Sequence, residues 1–504
     1  MTKAQTIGGL IARLAGQAEA HPFLAGRDGA LTKAELRARV WRSVRALDEA
    51  GVGRRDRVVI LLPRGIDEAV WLLAVMAAGA VAVPLHSRLR DDQVEHVLSD
   101  ARPRLVVTSP GRTVGLRAAG AVLAGRDVLD ASASPGAQEA DPGERTAPEE
   151  AAVILYSSGS TGQAKGVVQR HAALVAGAET VAGFLSLGAE DHLLSLLSFS
   201  FDYGLNQLLS GLYIGCRVTI AEHVGVGELR GLLREHRPTG LACVPSFWHE
   251  VARSITRGQL EGADGESLRF LTNSGGALRP ADSQVLRRHW PHVDIFAMYG
   301  LTEAFRSAYL PPSEFDAAPD SFGYAVPGVE LLLVCPDSGA VLRGPATGEL
   351  VHVGAFVAAG YWGLPDATSR RFRPDPRGGG RRAVYSGDLV RRDQDGRHYF
   401  VARMDRMMKV HGHRVSPDEV TRALEGIEGV GEAYVVAVDG GADGDRIGLF
   451  CAGDAADERL RALLMRRLRA RLPSYMQPAE LRVLAELPHN ANGKVDEAAL
   501  RGML

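Results

Sequence analysis

The chain has 504 residues, of which 46% are hydrophobic and 23% are charged, and its formal net charge is −2. This length exceeds what one hydrophobic core usually serves, so at least two domains are expected, and the near-neutral charge disfavours a nucleic-acid-binding surface. The four cysteines are isolated, which disfavours a disulfide framework or a metal cluster and predicts a cytoplasmic protein with reduced thiols.

Helix-like and strand-like patterns alternate through the first 130 residues. Thr32 can cap a helix that runs to about residue 50, and Glu35 completes a capping box three residues later. The elements predicted after it are a strand at 57–62, a helix from 66, a strand at 81–85, a helix at 92–99 and a strand at 104–108. Such alternation predicts a parallel sheet with helices on its faces.

One uncharged run, residues 69–85, approaches membrane-spanning length. Gly79 and Pro84 divide it into the end of a helix and a short buried strand. We therefore interpret the run as a core element of a soluble protein and expect no membrane partner.

A connector rich in Ala, Pro, Gly, Asp and Glu is predicted at residues 131–150, and βαβ material resumes after it. Strands are predicted at 151–155, 192–197, 217–220, 240–244, 268–272 and 294–299, with a helix beginning near His171. Short strands at 329–335, 348–353 and 397–402 indicate a small β-rich subdomain.

The last hundred residues form a compact segment of mixed type. Helices are predicted at 416–425 and 456–471, and strands at 432–438 and 446–451. The predicted fold class is therefore α/β, with a large N-terminal domain over residues 1–402. It combines parallel-sheet βαβ subdomains with the small β-rich subdomain, and a small mobile α+β domain over residues 403–504 follows it.

Residues 156–166 (YSSGSTGQAKG) directly follow the apolar run at 151–155. A buried strand that leads into glycines and hydroxyls is typical of a polyphosphate site, because glycine admits close approach and hydroxyls donate to phosphate oxygens. A kinase-type P-loop needs Gly-Lys followed by Ser or Thr, whereas Lys165 follows Ala164 and precedes Gly166. A plain Ser-Gly linker would lack the preceding buried strand.

Later segments carry groups that suit a nucleotide and a metal ion. They are residues 298–303 (MYGLTE), 385–389 (YSGDL), 403–406 (RMDR), 411–415 (HGHRV) and 490–495 (NANGKV). A carboxylate suits a hard cation, an aromatic face suits a base, and a buried carboxylate can accept two ribose hydroxyls. With the loop at 156–166, these segments in this order resemble the adenylate-forming superfamily. Its members include acyl-CoA synthetases, adenylation domains of peptide synthetases and luciferases, and the chain looks most like a stand-alone amino-acid-activating carrier-protein ligase.

The resemblance implies a role for each matching residue. Thr302 and Glu303 would serve the α-phosphate and Mg²⁺, with Glu303 as the metal ligand. Lys494 would bridge the acid's carboxylate and the phosphate, Asp405 would be the catalytic hinge, and Gly412 would border the pantetheine tunnel. The implied ATP-binding residues are Ser157, Ser158, Gly159, Ser160, Thr161, Gly162, Lys165, Tyr299, Gly300, Asp388, Arg403 and Arg414. Among these, Tyr299 would stack on adenine and Asp388 would bind the ribose. Ala402 stands where the family usually has glycine.

The same resemblance implies an acyl pocket. Asp202 would hold the α-ammonium of an amino acid, since a buried carboxylate needs a cationic partner. The other implied pocket residues are Tyr203, Asn206, Trp248, Asn273, Gly275, Met298, Arg306 and Ser307. The residues Tyr203-Gly204 depart from the sequence that is common in peptide synthetases. Fatty-acyl-activating and aryl-activating relatives have other residues at the position of Asp202. Arg306 could pair with a substrate carboxylate, with Asp202 or with Glu303, so no particular amino acid is predicted.

The implied reaction is activation of a carboxylic acid, expected to be an amino acid, by ATP and Mg²⁺, with release of pyrophosphate. Transfer to the phosphopantetheine thiol of a separate carrier protein would follow, because the chain ends soon after Lys494. The alternative is an AMP-forming acyl-CoA ligase that transfers a non-amino acyl group to coenzyme A, for which Arg381 and Arg382 are candidate contacts with the nucleotide phosphate. A luciferase-like oxygenase shares these motifs.

Overall fold

The computed structural model describes residues 4–14, 22–109, 145–157, 164–222, 225–406, 408–410, 413–427, 429–438, 445–454, 458–490 and 493–504, and the backbone of a strand at 121–124. Of residues 405, 409, 413 and 414 only the backbone is described. The α-helices of this part of the chain are α1 (Ile7–Ala12), α2 (Lys33–Glu49), α3 (Ile66–Ala77), α4 (Asp91–Ala101), α5 (His171–Phe184), α6 (Asp202–Ile214), α7 (Val226–His236), α8 (Pro245–Thr256), α9 (Pro280–His289), α10 (Pro365–Arg371), α11 (Pro417–Arg422), α12 (Glu458–Arg471) and α13 (Glu497–Arg501).

The strands between these helices are β1 (Leu24–Gly26), β2 (Gly29–Leu31), β3 (Arg57–Leu61), β4 (Val81–Pro84), β5 (Leu105–Thr108), β6 (Ala121–Ala124), β7 (Ala151–Ser157), β8 (Lys165–Arg170), β9 (His192–Ser195), β10 (Arg217–Ile220), β11 (Gly240–Cys243), β12 (Phe270–Asn273), β13 (Asp294–Tyr299), β14 (Ala308–Leu310), β15 (Ser321–Ala325), β16 (Val329–Val334), β17 (Val341–Leu342), β18 (Ala346–Gly354), β19 (Gly360–Tyr361), β20 (Phe372–Pro374), β21 (Arg382–Arg392), β22 (His398–Arg403), β23 (Met408–Val410), β24 (His413–Val415), β25 (Ala433–Val438), β26 (Arg446–Ala452) and β27 (Glu480–Leu484). Most of the connector predicted at 131–150 lies outside the described residues.

Two large sheets build the N-terminal part. The first has the order β19-β8-β7-β4-β3-β5-β6, with parallel pairing from β7 to β6 and antiparallel pairing at the β8 edge. The second has the order β17-β16-β18-β21-β22-β15-β14-β13-β12-β11-β9-β10-β1-β2, with β20 beside β21. The strands predicted as a β-rich subdomain form the antiparallel half of this second sheet, joined to its parallel half through β14 and β15. The α/β fold class is confirmed.

Helix α3 shows why the uncharged run is a core element. All of its residues except Asp67 are buried, and its apolar residues belong to one hydrophobic core with Val153 of the first sheet and Phe296 of the second. A helix enclosed between two sheets must be apolar all round. The run therefore divides into α3 and β4, as predicted. No helix among the described residues is long and apolar enough to cross a membrane.

Arg64, just before α3, ties the first sheet to the second. Its guanidinium donates to the carbonyls of Ala221 and Ser195, both at 2.9 Å, and its Cζ lies 4.3 Å from the Phe199 ring centroid. Glu68 lies one turn further, with its Oε2 3.9 Å from Arg64 Nη1. Burial raises the pKa of Glu68 to about 7, although Arg64 opposes the shift. The pair is therefore a buried titratable link.

We expect this link to make stability fall as pH rises. The folded-state pKa of Glu68 lies above its ordinary value of 4.5, so the unfolded chain loses the proton first and the native state loses relative stability between about pH 4.5 and 7. The free energy of unfolding of the native protein minus that of Glu68→Gln should fall by about 3 kcal/mol across this range, measured by urea denaturation. Glu95→Gln, at an exposed position of α4, is the control, and an equal pH dependence in both variants would contradict the assignment.

The C-terminal segment has hydrophobic cores of its own. One joins the β23–β24 hairpin, α11 and the inner face of α12 to one face of the β25-β26-β27 sheet, through residues such as Val415, Leu449 and Leu464. The opposite face packs Phe450 against Leu500 of α13. Cores that use residues of this segment alone are what an independent domain requires. The boundary at residues 402–403 stays a prediction.

Candidate active site

The predicted phosphate loop connects two antiparallel strands. Ser157 at the end of β7 pairs with Lys165 at the start of β8, so the residues between them form the connection. The predictions for Ser158, Gly159, Ser160, Thr161 and Gly162 lie outside the described residues. Lys165 Nζ lies 5.7 Å from the centroid of the Tyr361 ring, a cation–π distance. Lys165 thus faces the next cluster of the site.

That cluster surrounds Glu303, in the short helical turn Thr302–Ala304. The Tyr361 hydroxyl donates to Glu303 Oε1 at 2.6 Å, and Arg371 Nε lies 3.9 Å from the same oxygen. The turn is fixed by the Gln169 side-chain amide, which donates to the Thr302 carbonyl at 2.5 Å. Burial, reinforced by the Glu303 carboxylate, raises the pKa of Tyr361, so the tyrosine stays protonated and remains a donor. The motif at 298–303 did not reveal Tyr361; its only signal was an aromatic pair after Gly360.

The Glu303 cluster fits a magnesium ion. Mg²⁺ is usually held by one or two carboxylates and takes its remaining ligands from phosphate oxygens and water. Glu303 supplies one carboxylate whose orientation Tyr361 fixes, and Lys165 lies beside it. Among the described residues no group of three or more His, Cys, Asp or Glu side chains could hold a metal ion. The cluster therefore suits a cation that arrives with phosphates.

The nucleotide residues converge where the ends of β13 and β22 meet the middle of β21. The Tyr299 hydroxyl donates to Asp388 Oδ2, and Arg403 Nη1 lies 3.0 Å from Asp388 Oδ1. The Tyr299 ring stacks on Phe322, with 4.5 Å between centroids. Burial and the Asp388 carboxylate raise the pKa of Tyr299 well above its ordinary value. The structure thus joins Tyr299, Asp388 and Arg403, three of the residues predicted to bind ATP, with Gly300 next to Tyr299. Adenine stacking on Tyr299 stays a prediction.

The predicted acyl-pocket residues lie around the first turns of α6. Tyr203 bonds to the Thr272 hydroxyl, and the Trp248 indole donates to the Thr272 carbonyl at 3.3 Å. Asn273 donates to the Gly276 carbonyl at 2.9 Å, and Ser307 Oγ lies 2.9 Å from His352 Nδ1. Tyr203, Asn206 and Met298 line a shared cavity of about 20 Å³, which is room for one water molecule. Gly275 has φ +88°, close to Phe201. Thr272, which holds Tyr203 and Trp248, was not predicted.

Asp202 and Arg306 form a buried ion pair in this pocket. Arg306 Nη1 lies 3.2 Å from Asp202 Oδ2 and donates to the Phe305 carbonyl at 2.7 Å, while Nη2 reaches the Asp202 carbonyl at 3.3 Å. Only 5% of Asp202 and 4% of Arg306 are exposed. Burial raises the pKa of Asp202, against the opposing effects of Arg306 and Lys494, and lowers the pKa of Arg306. Of the two partners within the chain that were considered for Arg306, the structure pairs it with Asp202 and not with Glu303.

The backbone at Phe305 directs Arg306 into the pocket. Phe305 is fully buried with φ 27°, a left-handed conformation that costs a non-glycine residue about 1–3 kcal/mol. Its ring lies 5.1 Å from Arg306 Cζ and packs directly on Gly177 of α5, where an added Cβ would stand 2.6 Å from Phe305 Cδ1. Gly177 therefore provides the space that Phe305 fills.

Replacing Gly177 with alanine should damage this support. Replacing glycine with alanine inside a helix normally raises the free energy of unfolding by up to about 1 kcal/mol. Here the new methyl overlaps the Phe305 ring, so we expect a net loss of about 1–3 kcal/mol in unfolding free energy. A raised KM for the acid should follow, measured by pyrophosphate exchange. Gly183→Ala on the same helix is the matched control, because nothing lies within 4 Å of its Cβ. If both variants behaved alike, Gly177 would have no role in supporting Phe305.

The Lys494 loop is docked at the mouth of the pocket. Lys494 Nζ lies 5.7 Å from the ring centroid of Phe201, the residue that precedes Asp202. Its positive charge opposes the rise that burial causes in the pKa of Asp202. Ser246 Oγ donates to the Gly493 carbonyl at 3.0 Å, and Arg279 donates to the Gly431 carbonyl. The structure therefore brings the predicted catalytic lysine to the predicted acyl pocket.

The remaining predicted residues are only partly described. Asp405 lies in the helical turn Met404–Arg406, and Arg414 lies on β24 opposite Lys409. The side chains of Asp405 and Arg414, and all of Gly412, are outside the described residues. Arg381 and Arg382 have partners within the chain: Arg381 pairs with Glu330 and Asp375, and Arg382 donates to the Ala359 carbonyl at 2.7 Å. Neither guanidinium is held open for a nucleotide phosphate.

Comparison with known proteins agrees with this geometry. Residues 11–362 match the AMP-binding enzyme family, and residues 419–494 match the AMP-binding enzyme C-terminal domain. The chain is 34% identical to the probable nonribosomal peptide synthetase CymA of Salinispora arenicola over 93% of its own length, which is 6% of CymA. ATP-bound MatB from Rhodopseudomonas palustris has a TM-score of 0.86 and 25% identity, with 99% of both chains covered. A benzoate CoA ligase from Burkholderia xenovorans has a TM-score of 0.85 and 25% identity, over 98% and 99% of the two chains.

The family match extends over most of the chain and includes the phosphate loop, Tyr299, Glu303 and Tyr361. The second match ends at Lys494, the residue docked at the acyl pocket. The chain therefore belongs to the AMP-binding, adenylate-forming enzyme family, and it is a ligase that activates a carboxylic acid with ATP.

Proposed function

We propose that the acid is an amino acid and that the acyl group passes to the phosphopantetheine thiol of a carrier protein. The observation that carries this proposal is Asp202, a buried carboxylate at the first turn of α6 beside the Lys494 loop. A carboxylate so placed can hold an α-ammonium while Lys494 meets the α-carboxylate of the same molecule. The likeness to CymA, a peptide synthetase, supports the choice of an amino acid.

The residues of the site would act mainly through charge. The acid's carboxylate attacks the α-phosphorus of ATP, and the approach of two anions is the main barrier that the protein can lower. Lys494 would neutralise the charge between the two reactants, and the loop at 158–163 with Lys165 would hold the phosphates that leave as pyrophosphate. Glu303 would bind Mg²⁺, which supplies further neutralisation when bound. Asp388 would orient the ribose, and Thr302 the α-phosphate.

The second half-reaction needs a thiol at the carbonyl that Lys494 covers. Lys494 and Gly493 belong to the C-terminal segment, which meets the pocket through the Ser246 and Arg279 contacts. Rotation about Asp405 would withdraw Lys494 and bring the β23–β24 hairpin, with Gly412 next to it, toward the adenylate. The thiol then attacks the acyl carbon, AMP leaves, and the product is a thioester.

One observation favours the alternative, an acyl-CoA ligase for an acid without an amino group. Asp202 already has a cationic partner in Arg306, so it needs no ammonium to balance its charge. The benzoate CoA ligase that shares the fold is named for an acid without an amino group. In that case Asp202 and Arg306 would form part of the pocket wall.

Acid-dependent ATP–pyrophosphate exchange tests the choice of acid. A panel should contain amino acids, their analogues without the amino group, fatty acids and aryl acids. We expect one amino acid to support exchange at least ~100-fold better than its analogue without the amino group, and Asp202→Asn to abolish that preference. Exchange with fatty or aryl acids alone would sink the amino-acid proposal.

Competition between two thiols tests the acceptor. The purified enzyme, with ATP and its acid, is offered a phosphopantetheinylated carrier protein and coenzyme A together, and the thioesters are counted by mass spectrometry. Preferential loading of the carrier protein is expected. Acylation of coenzyme A alone would favour the alternative.

A further inference from the structure

The Asp202–Arg306 pair gives the pocket an uncommon charge arrangement. Both side chains are more than nine-tenths buried, and Arg306 Cζ lies 5.4 Å from the Tyr203 ring. One negative and one positive group therefore lie next to Tyr203, which lines the cavity in the predicted acyl pocket, and Lys494 lies close by at Phe201. In a dry site each of these charges needs a partner of opposite sign.

Charge balance restricts which acids fit. Whether or not the acid carries an amino group, its carboxylate neutralises Lys494. An α-ammonium that takes Asp202 leaves the Arg306 guanidinium buried without a counter-charge, which is strongly unfavourable. An amino acid with a neutral side chain therefore adds one positive charge that nothing in the pocket balances. An amino acid with a second anionic group restores the balance.

The hydrogen-bond inventory points the same way. Arg306 Nε and Asn206 Nδ2 are buried donors that have no acceptor among the described residues. Asn206 follows Asp202 by one turn of α6, so the two side chains lie on the same helix face. Both residues lie close to the Gly177–Phe305 contact: an added Cβ at Gly177 would lie 3.5 Å from Asn206 Nδ2, and Arg306 Cζ lies 5.1 Å from the Phe305 ring. Two buried donors without acceptors suit an acceptor-rich group such as a carboxylate.

We infer that Arg306, assisted by Asn206, recognises an anionic side group of the substrate, so that the preferred acid is an amino dicarboxylic acid. The substrate's ammonium pairs with Asp202, and its side-chain carboxylate pairs with the Arg306 guanidinium in place of Asp202. The ion pair seen in the structure holds both groups in place until the substrate exchanges partners with them. This inference rests on the proposed amino-acid function and adds the class of side chain.

Matched substrate pairs test the inference by pyrophosphate exchange. The pairs are aspartate with asparagine and glutamate with glutamine, together with succinate and glutarate, which lack the amino group. We expect kcat/KM to be at least ~100-fold higher for the anionic member of the better pair. Arg306→Gln should remove most of that preference by lowering kcat/KM for the anionic member at least ~10-fold more than for the amide member. Arg306→Lys, which keeps a positive charge, should retain part of the preference.

The outcomes separate this inference from the proposed function. A neutral amino acid as best substrate would overturn the role of Arg306 and leave the amino-acid proposal standing. Best exchange with succinate, glutarate or another acid without an amino group would overturn both. If Arg306→Gln lowered kcat/KM equally for both members of a pair, Arg306 would only position Asp202, and the inference would fail. Thermal unfolding of each variant excludes loss of folding as the cause, and Arg306→Lys serves if Arg306→Gln does not fold.

Discussion

Lys494→Ala should lower acid-dependent ATP–pyrophosphate exchange by about 100- to 1,000-fold, the usual effect of removing one preorganised group that stabilises transition-state charge. Lys494 is the side chain that the C-terminal segment places beside Phe201 and Asp202. Thioester formation from a chemically supplied acyl-adenylate should change little, because in the proposed mechanism Lys494 leaves the pocket before that step. Single-turnover assays of the two half-reactions measure both effects.

The control for this experiment is Arg461→Ala, which removes an exposed positive charge from α12. Both half-reactions should continue at the native rate in this variant. Equal losses of adenylation and thiolation in Lys494→Ala would contradict the assignment of Lys494 to the first step alone, and with it the rotation of the C-terminal segment.

A disulfide between Ser246→Cys and Gly493→Cys should stop the enzyme after its first half-reaction. The sulfur of Ser246→Cys takes the place of Ser246 Oγ, and a Cβ on Gly493 would lie 3.7 Å from that atom, so the two sulfurs can meet after a small adjustment. The link would fix the contact that keeps Lys494 at the pocket. We expect the oxidised variant to retain pyrophosphate exchange and to lose thioester formation by at least ~100-fold, with recovery after reduction.

Two features of the chain shape the controls. Gly493 has φ +71°, so a cysteine there costs about 1–2 kcal/mol, and the single variants must be measured alone. Cys216, Cys243 and Cys451 are buried, whereas Cys335 is partly exposed and should be replaced by serine in all variants. If the oxidised double variant still formed thioester at the native rate, the contact between Ser246 and Gly493 would not have to break for the second half-reaction.

The regular elements were predictable wherever the signal is local. Thr32 and Glu35 form the predicted capping box of α2, with the Thr32 amide donating to Glu35 at 2.8 Å. The helix from residue 66 and the strand from Val81 also agree with prediction, because Gly79 interrupts an otherwise continuous apolar run. Parallel strand β27 was missed, since its burial depends on β26 and not on its own pattern.

The sequence predicted which residues belong to the candidate site. It did not predict which of these residues contact one another. Asp202 and Arg306 are 104 residues apart, and Glu303 and Tyr361 are 58 apart, so no spacing rule pairs them. The contact between Ser246 and Gly493 crosses 247 residues and depends on how the C-terminal segment docks. Such pairs arise from sheet order and domain placement, which sequence patterns do not encode locally. The roles assigned to the individual residues stay predictions.

Asp388 joins two processes that are usually described separately. Its carboxylate pairs with Arg403 at the end of β22, where the C-terminal domain is predicted to begin, and it is also the predicted ribose ligand. A ribose hydroxyl that binds Asp388 competes with Arg403 for the same oxygens. Thermodynamic linkage then requires that nucleotide binding changes the equilibrium between domain orientations, and that the orientation changes nucleotide affinity by the same factor. Because ATP, the acyl-adenylate and AMP carry the same ribose, this coupling would distinguish the nucleotide-free enzyme from its nucleotide-bound states.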